Sequence, residues 1–139
     1  MTDPSQLAPI EPHLREEDRP DDSILVVRAG PLTAVKFLEH ALRQQRDYTH
    51  RGAPMASISV AATVAGWTLE RILRERLRSR PTYATSSVGT VLDAGYELLA
   101  THRRPHYDIV LPSATIESAS TLLSLFRADT TNPFRGPTR

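Results

Sequence analysis

Apolar residues fall in short separated runs whose spacing changes along the chain, and each change marks a new element. Ser23-Ile-Leu-Val-Val-Arg28 is a continuous β-branched run, as a strand buried on both faces requires. Gly30-Pro31 ends it. Thr33 is placed to cap a helix reaching about Tyr48, with Val35, Leu38 and Leu42 on one stripe. Met55 to Val60 alternates, setting Met55, Ser57 and Ser59 opposite Ala56, Ile58 and Val60, which predicts a strand with one apolar face. Gly66-Trp67 then turns the chain, and Thr68 can cap a second helix whose inner stripe is Leu69, Ile72, Leu73 and Leu77. Its outer face carries Arg71, Arg74, Arg78 and Arg80, partly balanced by Glu70 and Glu75, and Pro81 stops it.

Thr82 to Val88 is rich in threonine and serine and reads as a third strand. A short helix from about Gly89 to Ala94 follows, with Val91 and Leu92 inward and Gly95 as a left-handed terminus. Tyr96–Thr101 and Tyr107–Leu111 form a hairpin around the turn His102-Arg-Arg-Pro-His106, closed by Pro112. The last helix spans about Thr115 to Arg127, with Ile116, Ala119, Leu122, Leu123 and Phe126 inward. The order β-α-β-α-β-α-β-β-α predicts an α/β fold: a single mixed sheet with helices packed on its faces. Helical crossovers imply locally parallel strands, and the hairpin adds an antiparallel pair.

Length and charge divide the chain into three parts. Residues 1–22 carry four prolines and a net charge of −5, and are expected to be a disordered acidic arm. Residues 23–129 form the single domain, and 130–139 are expected to be a flexible tail. The chain beyond the arm has a net charge of +6, so a basic body sits behind an acidic leader. Of its cations only Lys36 is lysine, a bias that a GC-rich genome produces by itself. Without cysteine there is no disulfide framework and no thiolate metal site. No apolar run reaches the roughly 18 residues of a membrane span, and no basic-then-apolar leader opens the sequence. A cytoplasmic protein without a cofactor is expected.

Three constellations could carry chemistry. The hairpin turn gathers His102, Arg103, Arg104 and His106 within five positions. His106 and Asp108 then share one strand face, and a carboxylate beside an imidazole fixes its tautomer and favours its charged form. The arginines could hold a phosphate, although an exposed polar turn is also ordinary. Arg28 ends the first apolar strand, so it must reach water, bind an anion, or pair with a carboxylate such as Asp108 or Glu97. Ser86 and Ser87, with Ser57, Ser59 and Thr85, put hydroxyls along strands, where they bind phosphate or serve structure. A metal site is not expected, because His102 and His106 have ligand spacing only on a helix and Pro105 lies between them.

Val26-Val-Arg-Ala-Gly30, Gly95-Tyr-Glu-Leu-Leu99, Pro105-His-Tyr-Asp-Ile-Val-Leu-Pro112 and Asn132-Pro133 together resemble a family of small uncharacterised proteins from GC-rich Gram-positive bacteria. Such proteins are often found near mobile elements. The resemblance covers about residues 23–133 and implies a defence or conflict setting without an established activity. A looser similarity is to ADP-ribosyltransferase-type toxins, through Arg28, Ser86 or Ser87, and Glu97 in that order. Here Glu97 lacks the paired glutamate of those enzymes.

Two functions follow as expectations. One is a small binding module, with a protein partner or a nucleic acid, within a toxin–antitoxin or defence-type unit. The other is a toxin-like enzyme acting on RNA or NAD through Arg28, His106 and Asp108. In the RNA version His106 moves the proton while Arg28, Arg103 and Arg104 clamp phosphate. In the NAD version Arg28 meets the pyrophosphate and Glu97 faces the ribose. Both place Arg28 and His106 in one hollow.

Overall fold

The computed structural model describes residues 19–50 and 55–134. Most of the expected acidic arm and the last residues of the expected tail lie outside them. In chain order the elements are β1 (Leu25–Ala29), α1 (Ala34–His50), β2 (Ser57–Ala62), α2 (Leu69–Glu75), β3 (Thr82–Ser87) and α3 (Val88–Asp93). β4 (Glu97–Ala100), β5 (His106–Val110), α4 (Ile116–Ser124) and β6 (Thr130–Thr131) complete the fold. No helix among the described residues is long and apolar enough to cross a membrane.

The architecture is α/β, with one six-stranded sheet of order β4-β5-β2-β1-β3-β6 and helices packed on it. One detail differs from the expected mixed sheet: every strand pair is antiparallel. A helical connection forces parallel strands only if it carries the chain back to the end where the first strand began. Here β2 starts at the end where β1 stops, as the pairs Val26–Ala62 and Val27–Ala61 require.

Local signals set most boundaries. Thr33 and Thr68 cap their helices by accepting from the N–H groups of Lys36 and Arg71, both at 3.1 Å. Gly95 takes a φ of +94°, the left-handed turn that ends α3. The α2 stripe is as the spacing predicts, with Ile72 and Leu73 buried, and Arg71–Glu75 and Arg74–Glu70 pairs on the outer face.

Alternation along β1 sorts the core onto two faces. Val26 joins Ile58, Val60 and Ala62 beneath Phe37 and Ala41 of α1 and Leu122 of α4. Val27 points the other way, to Ile72 and Leu73 of α2. On α1 the buried stripe is Phe37 and Ala41 rather than Val35 and Leu42, which are exposed. Phe37 meets Phe126 edge-on at 5.8 Å, and burying that ring turns the helix by about one position. Ile116 is exposed for a related reason, since it lies in the first turn of α4 ahead of the contact.

The chain from residue 130, expected as a frayed tail, first adds edge strand β6 to β3. Asn132 then plugs into the protein at 3% exposure. Its amide donates to the carbonyls of Leu77 (2.9 Å) and Arg80 (3.2 Å), which ties down the segment after α2.

Candidate functional site, a cationic cleft where two strands part

Hydrogen-bonding direction along β1 explains where the cleft forms. Gly30 N–H bonds to Thr82 of β3, and Leu25 C=O accepts from Thr63 beside β2. Even-numbered residues of β1 therefore bond toward β3, and odd-numbered ones toward β2. The ladder with β3 runs the full strand to Ala29, whereas the ladder with β2 holds only at Val26 and Val27. Beyond that point the two central strands separate, while β2 stays paired with β5 from Ser57 onward. Backbone groups of Ala29 and Ser59 are thereby directed into the gap. Arg28 spans it, its Nη1 donating to the Ser59 carbonyl at 2.6 Å.

This gap opens into a cleft of about 610 Å³, reached by residues from both faces of the sheet. From α1 come Lys36, His40 and Arg43; from the turn after α2 come Arg76, Leu77 and Arg80. β5 contributes His106. No carboxylate among the described residues lines it. A cleft lined by one sign of charge and walled by protein concentrates the opposite charge from solution.

Burial and crowding leave their mark on these groups. Burial first, then Arg80 and Arg43, lower the Arg28 pKa to about 10, so the guanidinium remains charged at neutral pH against an unfavourable field. Burial, with Arg28 and Arg43 behind it, lowers the His40 pKa to about 4, so that ring is neutral. His40 Nε2 is buried and has no hydrogen-bond partner among the described residues. The carboxylate expected to neutralise Arg28 is not in contact with it: among the described residues no acid lies within salt-bridge reach, and Asp108 offsets burial and the neighbouring arginines only in part, through space. Glu97 is exposed on the outer strand β4, and Asp108 is committed elsewhere.

Asp108 is fully buried and accepts from the hydroxyls of Thr101 (2.9 Å) and Ser59 (3.2 Å) and from the Gln44 amide (3.3 Å). Thr101, also fully buried, lies 2.8 Å from His106 Nδ1. A hydroxyl has one proton, so a threonine that donates to Asp108 must accept from His106 Nδ1–H. The ring is thereby fixed with Nε2 as its basic nitrogen in the neutral form. Asp108 is thus linked to His106 through the Thr101 hydroxyl, and it does not line the cleft. Thr101 escaped the sequence reading because an isolated threonine at a strand end carries no signal of its own.

The remaining expected residues divide. His102, Arg103 and Arg104 are exposed on the turn, where His102 adopts a φ of +57° and its ring meets His106 edge-on at 4.9 Å. Arg104 joins the cleft rim through its backbone, which accepts from Arg76 at 3.2 Å. Ser86 and Ser87 do not join the site. Ser86 donates to the Leu125 carbonyl and Ser87 caps α3, and they pair with Val26 and Leu25 at the far end of β1 from the cleft. Arg28, Ser86 or Ser87 and Glu97 are therefore not brought together.

His102, His106 and Asp108 each offer one ligand atom within 4.8 Å of the others, although no helix holds them. The hairpin turn supplies the proximity that Pro105 was expected to prevent. Two imidazoles and a carboxylate are the donors a divalent ion would use. Both Asp108 oxygens already accept hydrogen bonds, and the adjoining cleft is cationic, so the surroundings favour an anion.

His40, Arg43 and Lys36 were missed by the sequence reading, yet a signal existed. Positions 36, 40 and 43 form a polar stripe at helical spacing beside the apolar Phe37 and Ala41. No protein-family model, curated protein or solved structure matches the chain, so the site itself carries the functional reading.

Proposed function

We propose that the protein is a small nucleic-acid-binding module that seats a phosphate of an RNA strand in the cleft between β1 and β2. The observation that carries this reading is Arg28, a charged guanidinium held in a partly buried gap with no carboxylate in ion-pair contact among the described residues. An unpaired charge in such a place is costly, and an anionic ligand supplies what the protein withholds. Guanidinium groups also match phosphate geometry.

A strand is favoured over a lone anion because the cations continue outside the cleft. Arg76 reaches from the rim to the Trp67 ring, beside Arg71, whose charge is shared with Glu75. Arg103 and Arg104 extend the charge along the turn. Backbone phosphates spaced along a strand have successive partners on this path. Large exposed apolar side chains, by contrast, are confined to Val35, Leu42 and Ile116 among the described residues. That is ordinary surface scatter, and it gives a protein partner less support.

Fluorescence anisotropy of a labelled oligoribonucleotide tests the reading. Binding is expected to weaken as salt rises, with a log–log slope of roughly −0.7 per phosphate contacted. Arg28→Ala should lower affinity about tenfold or more, since a charge-assisted hydrogen bond is worth about 1.5–3 kcal/mol. A strand that fails to bind at low salt, or binds Arg28→Ala as tightly as wild type, overturns it.

A further inference from the structure

We infer that the cleft also cuts the strand it binds, with His106 moving the proton in a metal-independent transphosphorylation of RNA; this rests on the RNA-binding reading above. His106 lines the same cleft as Arg28, and its Nδ1 is fixed by a buried hydroxyl and carboxylate. Such an arrangement, a base oriented by a second group that is oriented by a third, is the general form of a proton-transfer site. The exposed surface of a hairpin has no need of a fully buried threonine and aspartate beneath one imidazole.

The chemistry balances without a co-reactant. His106 Nε2 takes the proton from a ribose 2′-hydroxyl, and the 2′-oxygen attacks the adjacent phosphorus. The P–O5′ bond breaks, and the imidazolium returns the same proton to the departing 5′-oxygen. The products are a 2′,3′-cyclic phosphate and a free 5′-hydroxyl. Charge gathers on the non-bridging oxygens in between, where Arg28 is held and where Arg43 and Arg80 also face. The buried Asp108 stabilises the transient imidazolium through Thr101. Thr101 and Asp108 are positioning residues, since neither lines the cleft.

The full-length chain is incubated with a labelled oligoribonucleotide in EDTA, and binding and cleavage are followed on the same strand. Wild type should cut it and leave cyclic-phosphate ends, identified by mass. A strand with one 2′-deoxyribose should bind equally and resist cutting at that linkage. His106→Gln should lose about 10²–10⁴-fold in rate while still binding. Thr101→Val should keep binding, lower the rate and shift the pH–rate profile, and Thr101→Ser should restore both; a purely structural threonine would leave the profile unmoved. A strand bound but left intact, or cut equally by His106→Gln, overturns the cleavage inference and leaves the binding reading standing. Failure to bind removes both.

Discussion

Arg28 donates to the Ser59 carbonyl at 2.6 Å across the point where β1 and β2 part. That bond replaces a rung of the ladder. The side chain bridges the gap with a charge that its surroundings disfavour. Strongly perturbed charges cluster at functional sites.

Arg28→Met should therefore raise thermal stability while abolishing strand binding. A lowered guanidinium pKa means the folded state disfavours the charge, and a neutral chain of similar length removes that penalty. The gain should be about 1 kcal/mol once solvent screening is allowed for. Thermal melts beside anisotropy check it. A lower melting temperature would mean that the bond to Ser59 is mainly structural.

His40 makes stability depend on pH. Its folded pKa of about 4 lies below the ordinary 6.5, so between those values the unfolded chain binds the proton more readily. The contribution is complete above about pH 6.5 and is lost as pH falls toward 4. The slope is at most about 1.4 kcal/mol per pH unit, and partial exposure reduces it. Melts across that window should show a decline that His40→Gln flattens; an equal decline in both would contradict the assignment.

Asn132 links the end of the described chain to the cleft. Its amide holds the Leu77 and Arg80 carbonyls, and its own side-chain oxygen accepts from Phe134 N–H at 2.9 Å. Asn132→Ala should cost about 1–3 kcal/mol, because a buried side chain that makes three hydrogen bonds is removed. Strand affinity should fall with it, since Arg80 and Leu77 line the cleft. Urea unfolding and anisotropy on the same variant separate the two effects. Unchanged affinity in the folded variant would show that Arg80 is positioned by other contacts.

Much of the scaffold was legible in the sequence because it rests on local rules. The caps at Thr33 and Thr68, the left-handed Gly95 and the Ile72–Leu73 stripe are each fixed by a few neighbouring residues. Val35 and Leu42 misled because α1 carries two interleaved apolar stripes, and only the contact with Phe126 selects Phe37. The union of Arg28 with His106 was anticipated, but not its cause. Where a ladder stops depends on packing from both faces, and no residue of β1 or β2 announces it. Thr101 and Asn132 act through partners 7 and 55 positions away, beyond the reach of periodicity. Ser86 and Ser87 were attractive for their hydroxyls, which are taken up in holding Leu125 and capping α3.

The central claim is that the gap between β1 and β2 is an anion seat, and nuclear magnetic resonance reads it most directly. Side-chain signals of Arg28 and His40 are followed while a dinucleoside monophosphate is added at constant pH. Both should shift together along one saturable curve as the anion settles beside Arg28, His40 and Arg43. Shifts confined to the exposed Arg103 and Arg104, with Arg28 and His40 unmoved at saturation, would contradict it.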